Sequence, residues 1–532
     1  MTLPWPSALR TPLLAAALAS LLAPRSGRAA EHTHSSGASR AVQPADATSA
    51  PSTSSAPSTA PGAPALEIVP PSPSALPPRA GAPAPVVAPT AHEASDPSAA
   101  AALAAGSASA SSGSLDLRSR PARSGVARLT VPIAETMATT LVILEWNRWV
   151  GQAPWADVTP GSVRRNLDSR WVLDHDDFWV NQVGHPYQGT WSFTAARSSG
   201  LGFWASAPFA FGASALWELA GETEPPSIND QVTTTVAGIV LGEVLHRFAG
   251  ALRAEGGAWR EVAAGVLEPM GALNGRLVGP ADAQRAPPSR WRLGLGAALP
   301  ADGAPGQRRP MADTSLSITW GVAGSEGLAI RRPFDHFVLD FDWTAASDPV
   351  ATVRVRGLVA GTTFEAGPAR GLFGAFLSFD FATPPGERIS TSALGFGGSA
   401  ATDLGGGLAL EGDAIASVIL LGAGGSVPSA DGLDRNYRFG PGQQGLLGLR
   451  LVYGTRARAE VAVRQYLLLS AESPGGDELI VHGTASAVLR IAGPHGLGIE
   501  TTRLLRRADV AGDAVRNADS ILRVYYTLLG GS

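Results

Sequence analysis

Hydrophobic and polar residues alternate along several stretches of the C-terminal half of the chain. In one stretch, Phe337, Leu339 and Phe341 occupy every second position, with Val338 and Asp340 between them. The same alternation recurs over residues 352–356, 375–381, 447–453 and 458–464. A period of two residues predicts β-strands, because successive side chains of a strand point to opposite faces of the sheet.

The strands are long, follow one another without helical interruption and carry their charges on one face. These charged residues are Arg354, Arg356, Asp380, Arg458, Glu460 and Arg464. A soluble β-sandwich also alternates, but a watery lumen and an apolar exterior suit charges confined to one face. The C-terminal half therefore predicts an antiparallel transmembrane β-barrel of about 12 strands.

The preceding part of the chain has a helical period instead. Apolar residues recur at three- and four-residue spacing over 133–150, and further helices are predicted over 191–219, 227–249 and 259–267. A kink is expected near Pro208 of the second helix. A loop rich in Trp, Asp and Asn lies between the first two helices. The predicted fold class is α+β, a small helical domain followed by the barrel.

The helix that begins near residue 227 has two specific local features. Ser227 can cap it, with Asp230 three residues further on. Gly238 and Gly242 lie one turn apart on one face, which lets a second helix approach closely. Because glycine in a helix interior costs up to about 1 kcal/mol relative to alanine, a compensating close contact is expected. The helix is predicted to be buried.

The N-terminal quarter predicts no folded structure. Residues 1–30 combine Arg10, a short apolar run and small residues, as in a secretory signal peptide. Residues 31–125 are rich in Ala, Pro and Ser, which predicts a disordered linker. The predicted domains are therefore a signal peptide (1–30), a linker (31–125), a helical domain (126–284) and the barrel (285–532).

Composition narrows the function classes. The net charge of −4 gives no indication of a nucleic-acid partner. The chain has no cysteine, which excludes disulfides, thiolate metal sites and a cysteine nucleophile. Only 16% of the residues are charged and 62 are glycine, values that glycine-rich barrel strands would explain.

Several motifs between residues 171 and 279 resemble an uncharacterised bacterial family. The motifs are HPYQG at 185–189, ARSSG at 196–200, WE at 217–218, EPPSIND at 224–230 and GIVLGE at 238–243. The family is a domain of unknown function that often precedes an outer-membrane barrel. The resemblance implies an outer-membrane or periplasmic setting, and it implies no activity and no catalytic residues.

The same segment contains the polar residues with the strongest potential for chemistry. The candidate catalytic residues are His185, Glu218, Glu222 and Asp230, and the candidates for a structural polar network are Arg197, Glu224, Asn229, Glu243 and Arg247. Buried polar groups cost free energy unless they are paired, so both interpretations require specific contacts. A metal site of His175, Asp176, Asp177 and His185 has suitable ligand types, but its spacing matches no established site. No metal or cofactor is predicted.

Two function classes remain open for a protein of the bacterial outer membrane in contact with its lipid. The first is a structural or transport-related protein whose helices plug the barrel lumen or cap its periplasmic mouth. The second is an enzyme that modifies a lipid or an envelope glycan, with His185 and a carboxylate as acid and base. Ser192 and Ser198 lie near His185 in sequence but lack a nucleophile-elbow motif. The identity of any lipid or small-molecule substrate stays open.

Overall fold

The structure, a computed structural model, describes most of the chain from residue 125 onward. The described ranges are 125–279, 287, 289–301, 309–345, 350–426, 436–472, 476–510 and 513–531. The predicted signal peptide, all but the last residue of the predicted linker, and the predicted boundary between residues 284 and 285 lie outside these ranges.

Helices precede strands, as predicted. The α-helices of the described part are α1 (Gly125–Trp146), α2 (Pro160–Asp168), α3 (His185–Ser198), α4 (Phe203–Ala220), α5 (Ile228–Glu255), α6 (Ala258–Leu267) and α7 (Pro269–Leu277). Helix α2 falls in the segment predicted as a loop. Its start is fixed by a capping box, in which Thr159 and Ser162 each accept a hydrogen bond from the backbone N–H of the other.

The prediction of one helix over residues 191–219 is wrong. The structure has α3 and α4 here, and the chain turns between them at Gly200, whose φ of 96° ends a right-handed helix. Helix α3 begins earlier than predicted and continues directly from a π-helical turn over Val180–Gly184. Pro208 lies inside α4.

The predictions for α5 are confirmed. The Ser227 hydroxyl accepts a hydrogen bond from the Asp230 backbone N–H, and the helix is mostly buried. A Cβ added to Gly238 would lie 2.8 Å from the Gly189 backbone of α3, and one added to Gly242 would lie 2.7 Å from the Phe193 ring. The glycines therefore let α3 and α5 pack backbone to backbone.

The C-terminal half is a closed antiparallel barrel of 12 strands, as predicted. The strands are β1 (Ser289–Pro300), β2 (Met311–Trp320), β3 (Phe337–Thr344), β4 (Val350–Ala366), β5 (Ala369–Ala382), β6 (Arg388–Gly405), β7 (Leu408–Gly425), β8 (Tyr437–Tyr453), β9 (Ala457–Leu469), β10 (Asp477–Ala492), β11 (His495–Val510) and β12 (Asp513–Gly531). Closure pairs β1 with β12, with Trp291 opposite Gly530.

Charged side chains meet across the lumen. Arg354 of β4 donates to His482 of β10 over 2.8 Å, and Arg464 of β9 pairs with Asp340 of β3 at 3.3 Å. In each case the two strands are six positions apart in a ring of 12, so they lie on opposite walls. These side chains must therefore point inward, and the lumen at this level is crossed by ion pairs and hydrogen bonds.

The segment between β2 and β3 also occupies the lumen. Its residues Ala323, Leu328 and Ile330 pack against an apolar cluster of Leu358, Leu372, Phe376, Ile415 and Leu446. Phe376 and Ile415 have the same strand parity as the inward-facing Asp380 and Asp413, so the cluster lies inside the barrel. The interior thus contains a folded-in loop as well as charged pairs.

The helical domain lies against the outer wall of the barrel. Val353 and Val355 flank the inward-facing Arg354, so they point outward, and both pack in a cluster with helical residues. The outward-facing residues Phe379 and Phe381 of β5 belong to the same cluster. The expectation that the helices plug the lumen or cap the barrel mouth is therefore wrong. Apolar positions facing lipid and apolar positions facing a helix look alike in the sequence.

Aromatic rings fill this interface. Phe178, which precedes α3, stacks on Phe381 with ring centroids 5.6 Å apart and meets Tyr437 of β8 edge-on at 5.2 Å. At another point Phe248 of α5 packs against Phe337, 5.5 Å away. Buried aromatic pairs contribute through both apolar area and ring geometry, so this layer joins the helices firmly to the wall.

The uncovered outer wall is apolar. Large exposed residues point outward on β6 to β12, among them Leu447, Leu449, Val461, Val463, Leu497, Ile499 and Val524. Two helical segments, Gly125–Gly151 and α5, are long and apolar enough to cross a membrane by length and composition alone. The apolar part of α5 is two thirds buried, which is typical of a core helix.

Removing a ring of the aromatic layer should lower the stability of the helical domain. We expect Phe178→Ala to destabilise the helical domain by about 3–5 kcal/mol, because Phe178 is fully buried and leaves a cavity against the barrel. The matched control is Phe396→Ala, on a ring that is 63% exposed on β6. The measurement is unfolding of the full-length protein in detergent, followed by helical circular dichroism. Equal effects of the two substitutions would contradict the proposed interface.

Candidate functional site

Three of the four predicted catalytic residues come together in the helical domain. His185 begins α3, Glu218 lies in the last turn of α4, and Asp230 lies in the first turn of α5. One ligand-type atom from each residue lies within 4.8 Å of the other two. Glu218 and Asp230 are buried, and His185 is partly buried as a residue.

Short hydrogen bonds position the two carboxylates. The Ser227 backbone N–H donates to Glu218 Oε2 over 2.8 Å, and Asn229 Nδ2 donates to Asp230 Oδ1 over 3.1 Å. Glu218 Oε1, in contrast, is buried without a hydrogen-bond partner among the residues that the structure describes. The turn that caps α5 therefore orients both acids and leaves one oxygen unpaired.

Asp174, which sequence reasoning missed as a candidate, borders the same cluster. It hydrogen-bonds to Asp230, and its Oδ1 accepts from Asn181 Nδ2 over 2.9 Å. Its backbone N–H donates to Asn229 Oδ1 over 2.9 Å. The DHDD run at 174–177 drew attention to metal ligands, but nothing in the sequence links Asp174 to a residue 56 positions later.

The barrel wall supports this segment directly. The Tyr437 hydroxyl of β8 donates to the Asp176 carbonyl oxygen over 2.7 Å, and it accepts from Asn181 Nδ2 over 3.0 Å. Asn181 also donates to Asp174, so a side chain of the wall reaches the acidic cluster through one intermediate residue. The site is thus built on the helical domain and positioned by the barrel.

Burial and mutual repulsion favour the protonated acids. Burial, with the neighbouring carboxylates adding to it, raises the pKa of Glu218 to about 8 and that of Glu222 to about 9, and raises the pKa of Asp230 well above its usual range. Burial lowers the pKa of His185 to about 4. Near neutral pH the site therefore contains a neutral imidazole beside carboxyl groups that retain protons.

Asp174 is the exception among these acids. Burial raises its pKa, but hydrogen bonds from Asp230, Asn181 and the Asp176 backbone outweigh that effect and leave its pKa below the usual range. Asp174 and Asp230 thus form a hydrogen-bonded pair in which Asp230 holds the proton. A neutral imidazole, a proton-bearing carboxyl group and an ionised carboxylate therefore lie close together, a combination that general acid–base chemistry can use.

Glu243 has the opposite environment. Arg197 Nε donates to its carboxylate over 2.7 Å, and Arg247 Nε donates over 2.9 Å. Arg247 also pairs with Asp335 of the β2–β3 segment at 3.1 Å. Burial raises the pKa of Glu243, but the two arginines outweigh it and hold the pKa below its usual range. This is a structural network that ties α3 and α5 to the barrel.

The other predicted residues are distributed as follows. Asn229 lies in the acidic cluster, away from the arginine network, and Glu224 is exposed in the turn before α5. Glu222 lies just beyond the end of α4 but contributes to the electrostatics of the cluster. His175 pairs with Glu472 of a barrel loop at 3.1 Å, and in the described part of the chain the acids that converge on His185 are Glu218 and Asp230 and not the run 175–177.

Ser192 and Ser198 are poorly placed to act with His185. Along α3 they lie about 10 and 20 Å from it at 1.5 Å per residue. The Ser198 hydroxyl donates to the Thr194 carbonyl oxygen over 2.6 Å and accepts from Asn274 Nδ2 over 2.8 Å. The structure therefore does not support the pairing of His185 with a nucleophilic serine.

The comparisons with known proteins agree with the motif-based resemblance. Residues 170–270 match the family described as Domain of unknown function (DUF3943). The DUF3943 region contains His185, Glu218 and Asp230 of the acidic cluster, and Glu243 with its partners Arg197 and Arg247. The comparison with curated proteins finds no match.

Solved porin and channel structures are similar to this chain at low identity. A NanC porin structure is 8% identical, with 44% of this chain and 98% of that chain covered and a TM-score of 0.25. The outer membrane channel DcaP of Acinetobacter baumannii is 9% identical, with 46% and 96% covered and a TM-score of 0.21. An anion-selective porin from Comamonas acidovorans is 9% identical, with 46% and 98% covered and a TM-score of 0.21.

The raised pKa of Glu218 predicts a pH-dependent stability. The unfolded chain releases this proton near pH 4.5 and the folded protein near pH 8, so the free energy of unfolding should fall as pH rises between these values. The loss is at most about 1.4 kcal/mol per pH unit for each such group. We expect Glu218→Gln to remove part of this slope.

The measurement is chemical unfolding of the full-length protein at pH 5, 7 and 8.5, in detergent with a chelator. Glu224→Gln is the matched control, because Glu224 is exposed. An identical pH slope for the wild type and Glu218→Gln would show that the Glu218 carboxyl group is ionised in the folded protein across this range.

Proposed function

We propose that this chain is an outer-membrane protein whose barrel anchors and braces the helical domain and does not conduct solutes. The observation that carries the proposal is the pairing of Arg354 with His482 and of Arg464 with Asp340 across the lumen. Closed barrels satisfy every backbone hydrogen bond in lipid, and the apolar outer wall suits a bilayer. The folded-in β2–β3 segment adds a second obstruction.

The position of the helices supports the same function. They use apolar wall positions that would otherwise face lipid, and Arg247 fastens α5 to Asp335 of the segment that enters the lumen. A barrel that supports a domain on its outer face needs a rigid wall, and the cross-lumen pairs brace opposite strands. On this proposal the acidic cluster opens on the outside of the barrel.

Conductance tests the proposal. In planar bilayers the full-length wild type should give no stepwise currents, whereas the double substitution Arg354→Ala and Arg464→Ala should produce small steps by emptying part of the lumen. Arg370→Ala with Arg456→Ala is the matched control, because both arginines are exposed, one beside the β4–β5 hairpin and one in the β8–β9 hairpin. Porin-like steps from the wild type would refute the anchoring role.

A second candidate function is an enzyme that acts on a lipid or an envelope glycan. The observation that favours it is the half-buried His185 beside Glu218 and Asp230. The neutral imidazole can accept a proton from water or a substrate hydroxyl, and a protonated carboxyl group can donate one to a leaving oxygen. The cluster would then face substrate from the outer side of the wall.

Envelope analysis tests this second function. A deletion strain should accumulate an unprocessed lipid or glycan, which the wild-type gene restores and His185→Ala does not. His175→Ala is the matched control, a histidine ten positions away that pairs with Glu472 outside the cluster. Identical envelope profiles of the deletion and complemented strains, or full rescue by His185→Ala at equal protein level, would remove the enzymatic interpretation.

A further inference from the structure

In the described part of the chain, the charged neighbours of Glu218 and Asp230 are other carboxylates and not arginines. Glu243, a few turns further along α5, differs because it forms ion pairs with two arginines. Buried acids without a counter-charge either hold protons or bind a cation.

One oxygen of the cluster is free to bind a ligand. Glu218 is fully buried, its Oε2 is used by the Ser227 backbone N–H, and its Oε1 has no hydrogen-bond partner in the described structure. A buried oxygen without a partner costs about 1–3 kcal/mol. Because the Glu218 carboxylate belongs to the group of three convergent side chains, a bound cation would satisfy this oxygen.

From this juxtaposition of one imidazole and two carboxylates on three helices, we propose that His185, Glu218 and Asp230 bind a divalent transition-metal ion of the zinc type. The inference goes beyond the proposed function and does not depend on it. One nitrogen and two oxygen ligands suit Zn²⁺, whereas Ca²⁺ and Mg²⁺ prefer oxygen alone. Three protein ligands would leave a coordination position for water or a substrate.

The distances fit with a small adjustment. Ligand atoms about 2.1 Å from a tetrahedral ion are about 3.4 Å apart, and the three atoms here lie within 4.8 Å of one another. Side-chain movements of up to about 1 Å would close the site.

Surrounding groups hold the ligands as outer partners of a metal site do. Asn229 donates to Asp230, and Asp174 hydrogen-bonds to the same carboxyl group. Such outer hydrogen bonds orient ligands and tune their basicity. Binding of the ion requires the ligating carboxyl groups to lose their protons, so affinity should increase as pH rises from 6 to 8.

Zinc binding to the full-length protein tests the inference. After treatment with a chelator, the wild type in detergent should bind one Zn²⁺ per chain by calorimetry and by metal analysis. Affinity should fall by at least tenfold in each of His185→Ala, Glu218→Gln and Asp230→Asn. Zn²⁺ should raise the Tm of the wild type and leave the Tm of Glu218→Gln unchanged, which separates binding from loss of fold.

Two histidine variants are controls. His175→Ala tests the alternative ligand run at 175–177, and His495→Ala tests surface binding on the barrel; both should bind Zn²⁺ as the wild type does. Absence of a stoichiometric site in the wild type would overturn the proposal, as would unchanged affinity in Glu218→Gln. Equal binding of Ca²⁺ that is insensitive to His185→Ala would show an acidic site without imidazole, and would also overturn it.

Discussion

The aromatic layer between the helices and the outer barrel wall determines how the rest of the molecule is arranged. Phe178 packs between Phe381 and Tyr437, and the Tyr437 hydroxyl continues from this layer to Asn181 and the Asp176 carbonyl oxygen. One residue of the wall therefore contributes to both apolar packing and polar positioning. Without that contact the segment before α3 would lose the support that holds Asp174 beside the acidic cluster.

Two buried acids of α5 differ in whether a positive charge lies beside them, and this difference distinguishes a structural acid from a candidate functional one. Glu243 is matched by Arg197 and Arg247, which offset the cost of removing its charge from water. Asp230, about three and a half turns earlier, has acids around it and relies on protonation. A buried ion pair can serve packing alone. A buried acid without a positive partner does not stabilise packing in this way. The second kind of environment is the one found at functional sites.

The sequence predicted those features that local periodicity determines. Alternation over stretches such as 375–381 predicted the strands, and one-sided charges such as Arg354 and Asp380 predicted a polar lumen. Gly238 and Gly242 predicted the close contact of α3 and α5. The position of the helices was not predictable in this way, because Phe379 and Phe381 are equally suited to lipid and to a helix. Asp174 was missed because only the fold brings it to Asp230.

Side chains cross the lumen of this barrel, whereas the candidate functional residues lie in the helices on its outer face. Inward-facing charges on opposite walls pair with each other, as Arg464 does with Asp340. In an open channel, water would solvate such charges. The helices instead use the outer face, where a domain can be positioned without an opening. The cluster of His185, Glu218 and Asp230 belongs to the helices and not to the lumen. On the proposed function, the barrel anchors the protein in the membrane and the helices hold the acidic cluster on its outer face.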